Sequence, residues 1–181
     1  MKKEKEYNPP TPIPERADVV IGIDPDADKS GASVLRKEKK YIETHVLEFA
    51  DLIRLLMYET RKAQTAGKSC VVVIEGGWLN KGNWHLSPAD TKFSAAAKGR
   101  STGMNHQTGI LTAEVCKAFD IPHVVVKPLR KIWQGKYRKI THDELASFAT
   151  LSSKRENQEA RDAALLAWVY AGLPIRVGRP R

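Results

Sequence analysis

The chain has 181 residues, with 30 Lys and Arg against 21 Asp and Glu, a formal charge of +9. That length suggests one domain, able to bury about 70% of its unfolded surface without staples, and 41% hydrophobic residues exclude wholesale disorder. No apolar run approaches the roughly 18 residues of a membrane helix, the charged start has no apolar stretch behind it to make a signal peptide, and Cys70 and Cys116 make neither a disulfide framework nor a zinc site. A cytoplasmic, reduced-compartment domain is expected.

Along the chain, residues 1–17 hold Pro9, Pro10, Pro12 and Pro14 among charges and read as an extended or disordered arm. Val19-Val-Ile-Gly-Ile-Asp24 is a short β-branched run ending in an acid, and reads as a buried strand. Residues 31–36 and 41–48 read as two further strands around the charged turn Lys37-Glu-Lys-Lys40, giving an antiparallel meander. A helix follows over about 50–66, with Leu52, Leu55, Leu56 and Met57 on its apolar side and Gly67 as C-cap. Cys70-Val-Val-Val-Ile-Glu75 is a second apolar strand ending in an acid. Residues 76–104, rich in Gly, Lys, Asn and Ser and containing Trp78 and Trp84, read as a long loop. A helix over 107–119, a strand over 121–127 and a basic connector over 128–140 come next. Thr141-His-Asp-Glu144 has capping-box spacing and opens a helix to about Leu151; Asn157 caps the last helix, which ends near Gly172. The expected architecture is α/β: a mixed five-stranded sheet, three antiparallel meander strands plus two parallel ones, flanked by helices over residues 18–173, with a basic tail over 174–181.

The charge is unevenly placed. Residues 76–140 carry 11 basic and 3 acidic side chains, a net +8, whereas 18–75 and 141–170 are slightly negative. A concentration of this kind points to a polyanion. The DNA-contacting candidates are Lys81, Lys92, Lys98, Arg100, Lys127, Arg130, Lys131, Lys136, Arg138 and Lys139, with Trp78 for stacking on bases. The bland readings are a solvated surface for the charges and packing for Trp78, Trp84 and Trp133, with Trp168 in the core.

Two parallel strands ending in Asp24 and Glu75 would place both acids at one sheet edge, where open α/β sheets carry their sites. Glu159 and Asp162 share one face of the last helix at i, i+3. Four converging carboxylates repel unless cations compensate, and oxygen-only donors suit Mg²⁺, with Mn²⁺ as an alternative. Two such ions activate water for phosphodiester hydrolysis. Taken singly, Asp24 is a strand-end turn residue and Glu159 a first-turn acid that the helix dipole explains. Asp26 and Asp28 read as turn residues, and His106 and His142 as local helix-start residues.

Ile21-Gly-Ile-Asp-Pro25, Val73-Ile-Glu75 and Glu159-Ala-Arg-Asp-Ala-Ala-Leu-Leu-Ala167, in this order, resemble the RuvC-like Holliday-junction resolvases of the RNase H-like superfamily. Gln107-Thr-Gly109 looks like that family's glycine-containing helix start, and Val124-Val-Val-Lys-Pro128 with its basic stretch looks like the segment before the last helices. The resemblance spans about residues 19–171. It implies an RNase H-like fold, a homodimer cutting branched DNA, and Asp24, Glu75, Glu159 and Asp162 as metal ligands for two ions, with Lys127 or Lys131 assisting the phosphate. This chain has Asp26 where the family often has Gly, Glu159 where Asp is frequent, and a longer stretch between Glu75 and Gln107. Those departures bear on substrate more than on chemistry, and phage or mobile-element relatives vary most in such loops. The competing readings are an RNA-processing nuclease of the same fold and a non-catalytic nucleic-acid-binding module. An actin-like or sugar-kinase ATPase would need two such halves.

Overall fold

A computed structural model describes residue 14 and residues 16–80 and 89–175. Lys81, Trp84, most of the N-terminal arm and most of the basic tail lie outside the described residues.

The first strand, β1 (Val19–Asp24), pairs antiparallel with β2 (Ser30–Arg36), which pairs antiparallel with β3 (Tyr41–Leu47). Helix α1 (Phe49–Thr65) then crosses to β4 (Cys70–Glu75), which lies parallel to β1. Gly67, at φ +64°, follows α1 as the sequence predicts. Helix α2 (Lys92–Ala118) leads to β5 (His123–Val126), parallel to β4. A basic connector, a short helix α3 (His142–Ala146), a two-residue strand β6 (Thr150–Leu151) and the last helix α4 (Gln158–Tyr170) complete the chain. The sheet order is β5-β4-β1-β2-β3-β6.

Among the described residues the sheet therefore has six strands rather than the expected five. Helix α3 stops at Ala146, not near Leu151. Ser147 Oγ donates to the Glu144 carbonyl (2.6 Å), and the chain turns so that Thr150 N–H donates to the Lys40 carbonyl (2.9 Å), adding β6 beside β3. The capping box of α3 is formed as expected: Glu144 N–H donates to Thr141 Oγ1, and Thr141 N–H to Glu144 Oε2. Asn157 occupies the N-cap position of α4 but makes no side-chain cap bond.

The larger correction concerns residues 92–104, expected as loop and found as the first half of a 27-residue helix. Thr91 caps it by accepting from Ser94 N–H (3.2 Å), and Ala95, Ala96 and Ala97 are strong helix formers. Gly99 and Gly103 weaken the local signal by about 1 kcal/mol each. They are carried by continuity with the packed half, where Gly109, Thr112 and Cys116 are buried. Gln107-Thr-Gly109 thus lies inside a helix rather than opening one.

Alternate strand residues feed two cores. Val20, Val71 and Val73 pack with α4, while Val19, Ile21, Ile23, Val72 and Ile74 pack with Leu52 and Leu56 of α1 and Cys116 of α2. Both sheet faces are covered, which is why β1 and β4 read as continuous apolar runs. Ala17, expected in the arm, is buried in the α4-side core. Trp168 is fully buried against Phe148 (ring centroids 5.1 Å), which also touches Trp133 (6.3 Å). Burial pushes the two free thiols up, Cys70 to about 11 and Cys116 to about 12, so both are inert core residues.

Candidate active site

Period two along a strand decides where the strand-end acids point. Val20 and Gly22 face α4, so Asp24 does too; Val71 and Val73 face α4, so Glu75 does too. The β1–β4 register pairs Gly22 with Val73 and Ile23 with Ile74, which brings Asp24 and Glu75 to the same level on neighbouring parallel strands.

Helix α4 brings the other two acids. It lies on the sheet through Ala160, Ala163, Ala164 and Ala167, all buried. Small residues on both sides let the backbones approach. A Cβ on Gly22 would lie 2.1 Å from the Ala163 carbonyl oxygen, and one on Gly31 would lie 2.1 Å from the Glu159 carbonyl oxygen. Ser33 Oγ donates to the same Ala163 carbonyl (2.9 Å). Since Gly31 is the cross-strand partner of Asp24, Glu159 is held one strand away from Asp24 by direct backbone contact.

Asp24, Glu75, Glu159 and Asp162 all line a cleft of about 800 Å³. One wall is α2, through Ala97, Lys98, Ser101, Thr102, Asn105 and His106; the other is the connector, through Leu129, Arg130, Lys131, Trp133, Tyr137, Arg138 and Lys139. The acids feel one another. Burial, then the charges of Glu75 and Asp162, hold the Asp24 carboxyl well above the usual carboxylate range. Burial and Asp162 also raise Glu75, against the pull of Lys131 and Lys139.

Lys139 supplies the balancing charge. Its ammonium sits 2.6 Å from Asp162 Oδ2, while Gln158 Nε2 donates to Asp162 Oδ1 (2.8 Å). Burial works against the charged form of Lys139, but the hydrogen bond and charge of Asp162, with Asp24 and Glu159 behind it, raise its pKa overall. Gln158 and Arg161 also donate to the Ile140 carbonyl (3.3 and 3.0 Å), pinning the start of α4 to the end of the connector. Among the described residues, no group of three or more His, Cys, Asp and Glu side chains is already drawn together as an ion cage. The donor set is nonetheless all oxygen, partly buried and short of positive charge, with a lysine ammonium standing where cationic charge is needed. Those residues fit a hard divalent cation.

The basic candidates divide. Lys98, Arg130, Lys131, Arg138 and Lys139 line the cleft, as does Trp78; Lys92, Arg100, Lys127 and Lys136 are exposed outside its lining. Lys98 is already paired with Asp90 (2.8 Å). Trp78 packs into the wall: a Cβ on Gly109 would lie 2.5 Å from its ring, and His106 meets it edge-on with centroids 6.2 Å apart. Asp26 lines the cleft as well and is fully engaged as a turn residue, accepting from Asp28 N–H and from Asn105 Nδ2 (both 2.9 Å). His142 faces Glu156 (Nδ1 to Oε2 2.5 Å) and does not line the cleft. The sequence reading missed Lys139 as the partner of Asp162. It also missed Gly22 and Gly31 as the contacts that seat α4.

No protein-family model and no curated protein sequence matches the chain. Among solved structures, the fold is similar to that of T. thermophilus RuvC in complex with a Holliday junction substrate, at 12% identity over 85% of this chain and 94% of that one, with a TM-score of 0.51. Fowlpox virus resolvase in complex with substrate Holliday junction DNA matches at 12% identity over 85% of this chain and 97% of that one, with a TM-score of 0.41. At this identity the likeness to RuvC is one of fold, and the fold is the RNase H-like one expected from the sequence.

Proposed function

We propose that this chain is a divalent-metal-dependent endonuclease that hydrolyses phosphodiesters in branched DNA. The observation that carries the reading is the meeting of Asp24, Glu75, Glu159 and Asp162, from three separate elements, on the floor of a cleft with basic walls. A protein that only bound nucleic acid would gain nothing from half-buried anions facing phosphate. The branched substrate class is carried over from the RuvC complex that shares this fold.

In this reading the four acids would hold Mg²⁺ or Mn²⁺, two ions per site. A bound pair would supply an activated water and stabilise the leaving oxygen. Arg130, Lys131 and Arg138 bind the non-bridging phosphate oxygens and orient the scissile bond. Gln158 and the α4–connector bonds fix Asp162 whatever its counter-cation. A homodimer with two such sites would match a two-fold symmetric junction; exposed Met104 and Leu111, seven residues apart along α2, offer one apolar stripe for it.

The test is cleavage of a four-way junction, matched duplex, single strand and RNA–DNA hybrid, each with Mg²⁺, Mn²⁺ or EDTA. Junction cutting that stops in EDTA, and falls at least about 100-fold in Asp24→Asn and Asp162→Asn while binding persists, is the expected result. Undiminished cutting by either variant overturns the site, and exclusive cutting of the hybrid moves the reading to RNA processing.

A further inference from the structure

The connector contains one feature the chemistry above does not use. Tyr137 and Arg138 are consecutive non-glycine residues in the left-handed region, at φ 56° and 58°. Neither is Asn or Asp, the residues that tolerate this region best, and two in succession is a strained arrangement. The strain is not relaxed because the turn is tied on every side. Gly135 N–H donates to the Lys139 carbonyl (3.0 Å), Arg138 N–H to the Gly135 carbonyl (2.9 Å) and Trp133 N–H to the Arg138 carbonyl (3.1 Å). A Cβ on Gly135 would lie 2.5 Å from the Lys139 carbonyl oxygen, so the closure needs glycine there. Gln134 N–H donates to Glu144 Oε1 (3.1 Å), which fastens the turn to the capping box of α3.

What this rigid turn displays is an aromatic ring. Tyr137 is 74% exposed and lines the cleft, whereas Trp78 and Trp133 are packed into its walls. Lys136 holds its ammonium 5.0 Å from the ring centroid, and Arg138 and Lys139 follow in sequence. Two residues span at most about 7 Å between Cα atoms, so the backbone that carries the ring lies within about that distance of the backbone that carries the Lys139 ammonium to Asp162, and both side chains line the same cleft. An exposed ring flanked by cations is the chemistry of a single-stranded nucleic-acid platform, in which bases stack and phosphates are neutralised alongside.

We propose that the Gly135–Lys139 turn is a specificity element on which Tyr137 stacks an unpaired base next to the phosphate at the acid cluster. Lys136 takes the flanking phosphate. The turn selects DNA with unpaired or splayed bases over matched duplex. This rests on the nuclease reading of the cleft and deepens it by assigning what recognises the branch.

The test is binding by the full chain carrying Asp24→Asn, so that DNA is not cut, at fixed salt. The probes are a four-way junction with a fluorescent base analogue at its branch point and a matched duplex of the same length. Tyr137→Ala is expected to weaken junction binding about 5- to 150-fold, to abolish quenching of the analogue, and to leave duplex binding unchanged. Tyr137→Phe is expected to keep both binding and quenching. Tyr137→Gly separates ring from fold: it removes the strain, so its melting temperature does not fall, yet it binds the junction as Tyr137→Ala does. Parental junction binding and quenching in Tyr137→Ala or Tyr137→Gly overturn the stacking role and leave the nuclease reading standing. Failure of the Asp24→Asn protein to bind any DNA overturns the nuclease reading, and this inference with it.

Discussion

On the α4 face of the sheet, backbones touch: Gly22 lies under the Ala163 carbonyl and Gly31 under that of Glu159. On the α1–α2 face, side chains touch, with Leu52, Leu56 and Cys116 filling the space over Val19, Ile21 and Ile23. The two faces bury comparable apolar material, but they do different jobs. Side-chain packing tolerates small shifts of a helix, because rotamers and neighbours adjust. Backbone contact does not, and it is the α4 helix that carries Glu159 and Asp162. The site is thus fixed by the stiffer of the two interfaces.

That contrast can be broken most severely at the glycines. Gly22→Ala puts a methyl group 2.1 Å from a backbone oxygen that cannot rotate away, so α4 must lift. A loss of more than about 4 kcal/mol is expected, at the extreme of what single substitutions do, read as a fall in melting temperature or in denaturant midpoint. Gly31→Ala, whose methyl would strike the Glu159 carbonyl, displaces an acid directly and should remove cleavage even where the chain stays folded. On the other face, Leu56→Ala leaves a cavity and costs about 2–5 kcal/mol. Well below its melting temperature, however, it should cut at nearly the parental rate. If Leu56→Ala and Gly31→Ala lose cleavage in proportion to stability alone, the distinction between the faces is wrong.

Asp24→Asn has a smaller effect and the opposite sign. The native fold holds this carboxyl well above the usual carboxylate range, chiefly by burial and by the neighbouring acids. Its ionised form therefore opposes folding. Below the ordinary carboxylate pKa it is protonated in both folded and unfolded chains and costs nothing; as pH rises through the raised folded value, stability is lost. Asp24→Asn should stabilise the metal-free protein by about 1–2 kcal/mol near pH 7, with the gain shrinking towards pH 4. Saturating Mg²⁺ should reverse the ranking, since at a concentration 100 times the dissociation constant a ligand adds about 2.7 kcal/mol to the form that binds it. Thermal melts at several pH values, with Mg²⁺ and with EDTA, read both signs. A pH-independent difference would remove the acid cluster as its cause.

Much of this was legible in the sequence where local pattern and global fold agree. Val19–Asp24 and Cys70–Glu75 are β-branched runs buried on both faces, so their strand character, parallel pairing and terminal acids all follow from one-dimensional signals. Thr141 and Glu144 announced a capping box and made one. What was hidden depends on partners distant in the chain. Strand β6 has two residues and exists because β3 offers it an edge. The first half of α2 contains Gly99 and Gly103, which argue for loop, and is carried as helix by the packed half beyond them. Lys139 stood among the 11 basic residues of the 76–140 segment, and only the left-handed turn before it, which no local preference of Tyr137 or Arg138 announces, delivers its ammonium to Asp162. Gly22 and Gly31 looked like strand glycines until α4 was laid against them.

The smallest effects belong to the basic walls. The exposed charges of Arg130 and Lys127 sit outside the backbone contacts that seat α4, so neutralising either should leave stability within about 0.5 kcal/mol. Arg130 lines the cleft and Lys127 does not. Each phosphate contact contributes about −0.9 to the slope of log K against log salt on duplex DNA. Arg130→Ala should therefore weaken binding and make the slope shallower by about 1, whereas Lys127→Ala should leave the slope unchanged, as read by fluorescence anisotropy from 50 to 200 mM salt. Equal slopes for the two variants would mean that DNA tracks the whole basic segment and not the cleft. Position, rather than net charge, would then no longer distinguish the useful cations, and the contrast between a rigid acid floor and a replaceable basic wall would hold for stability alone.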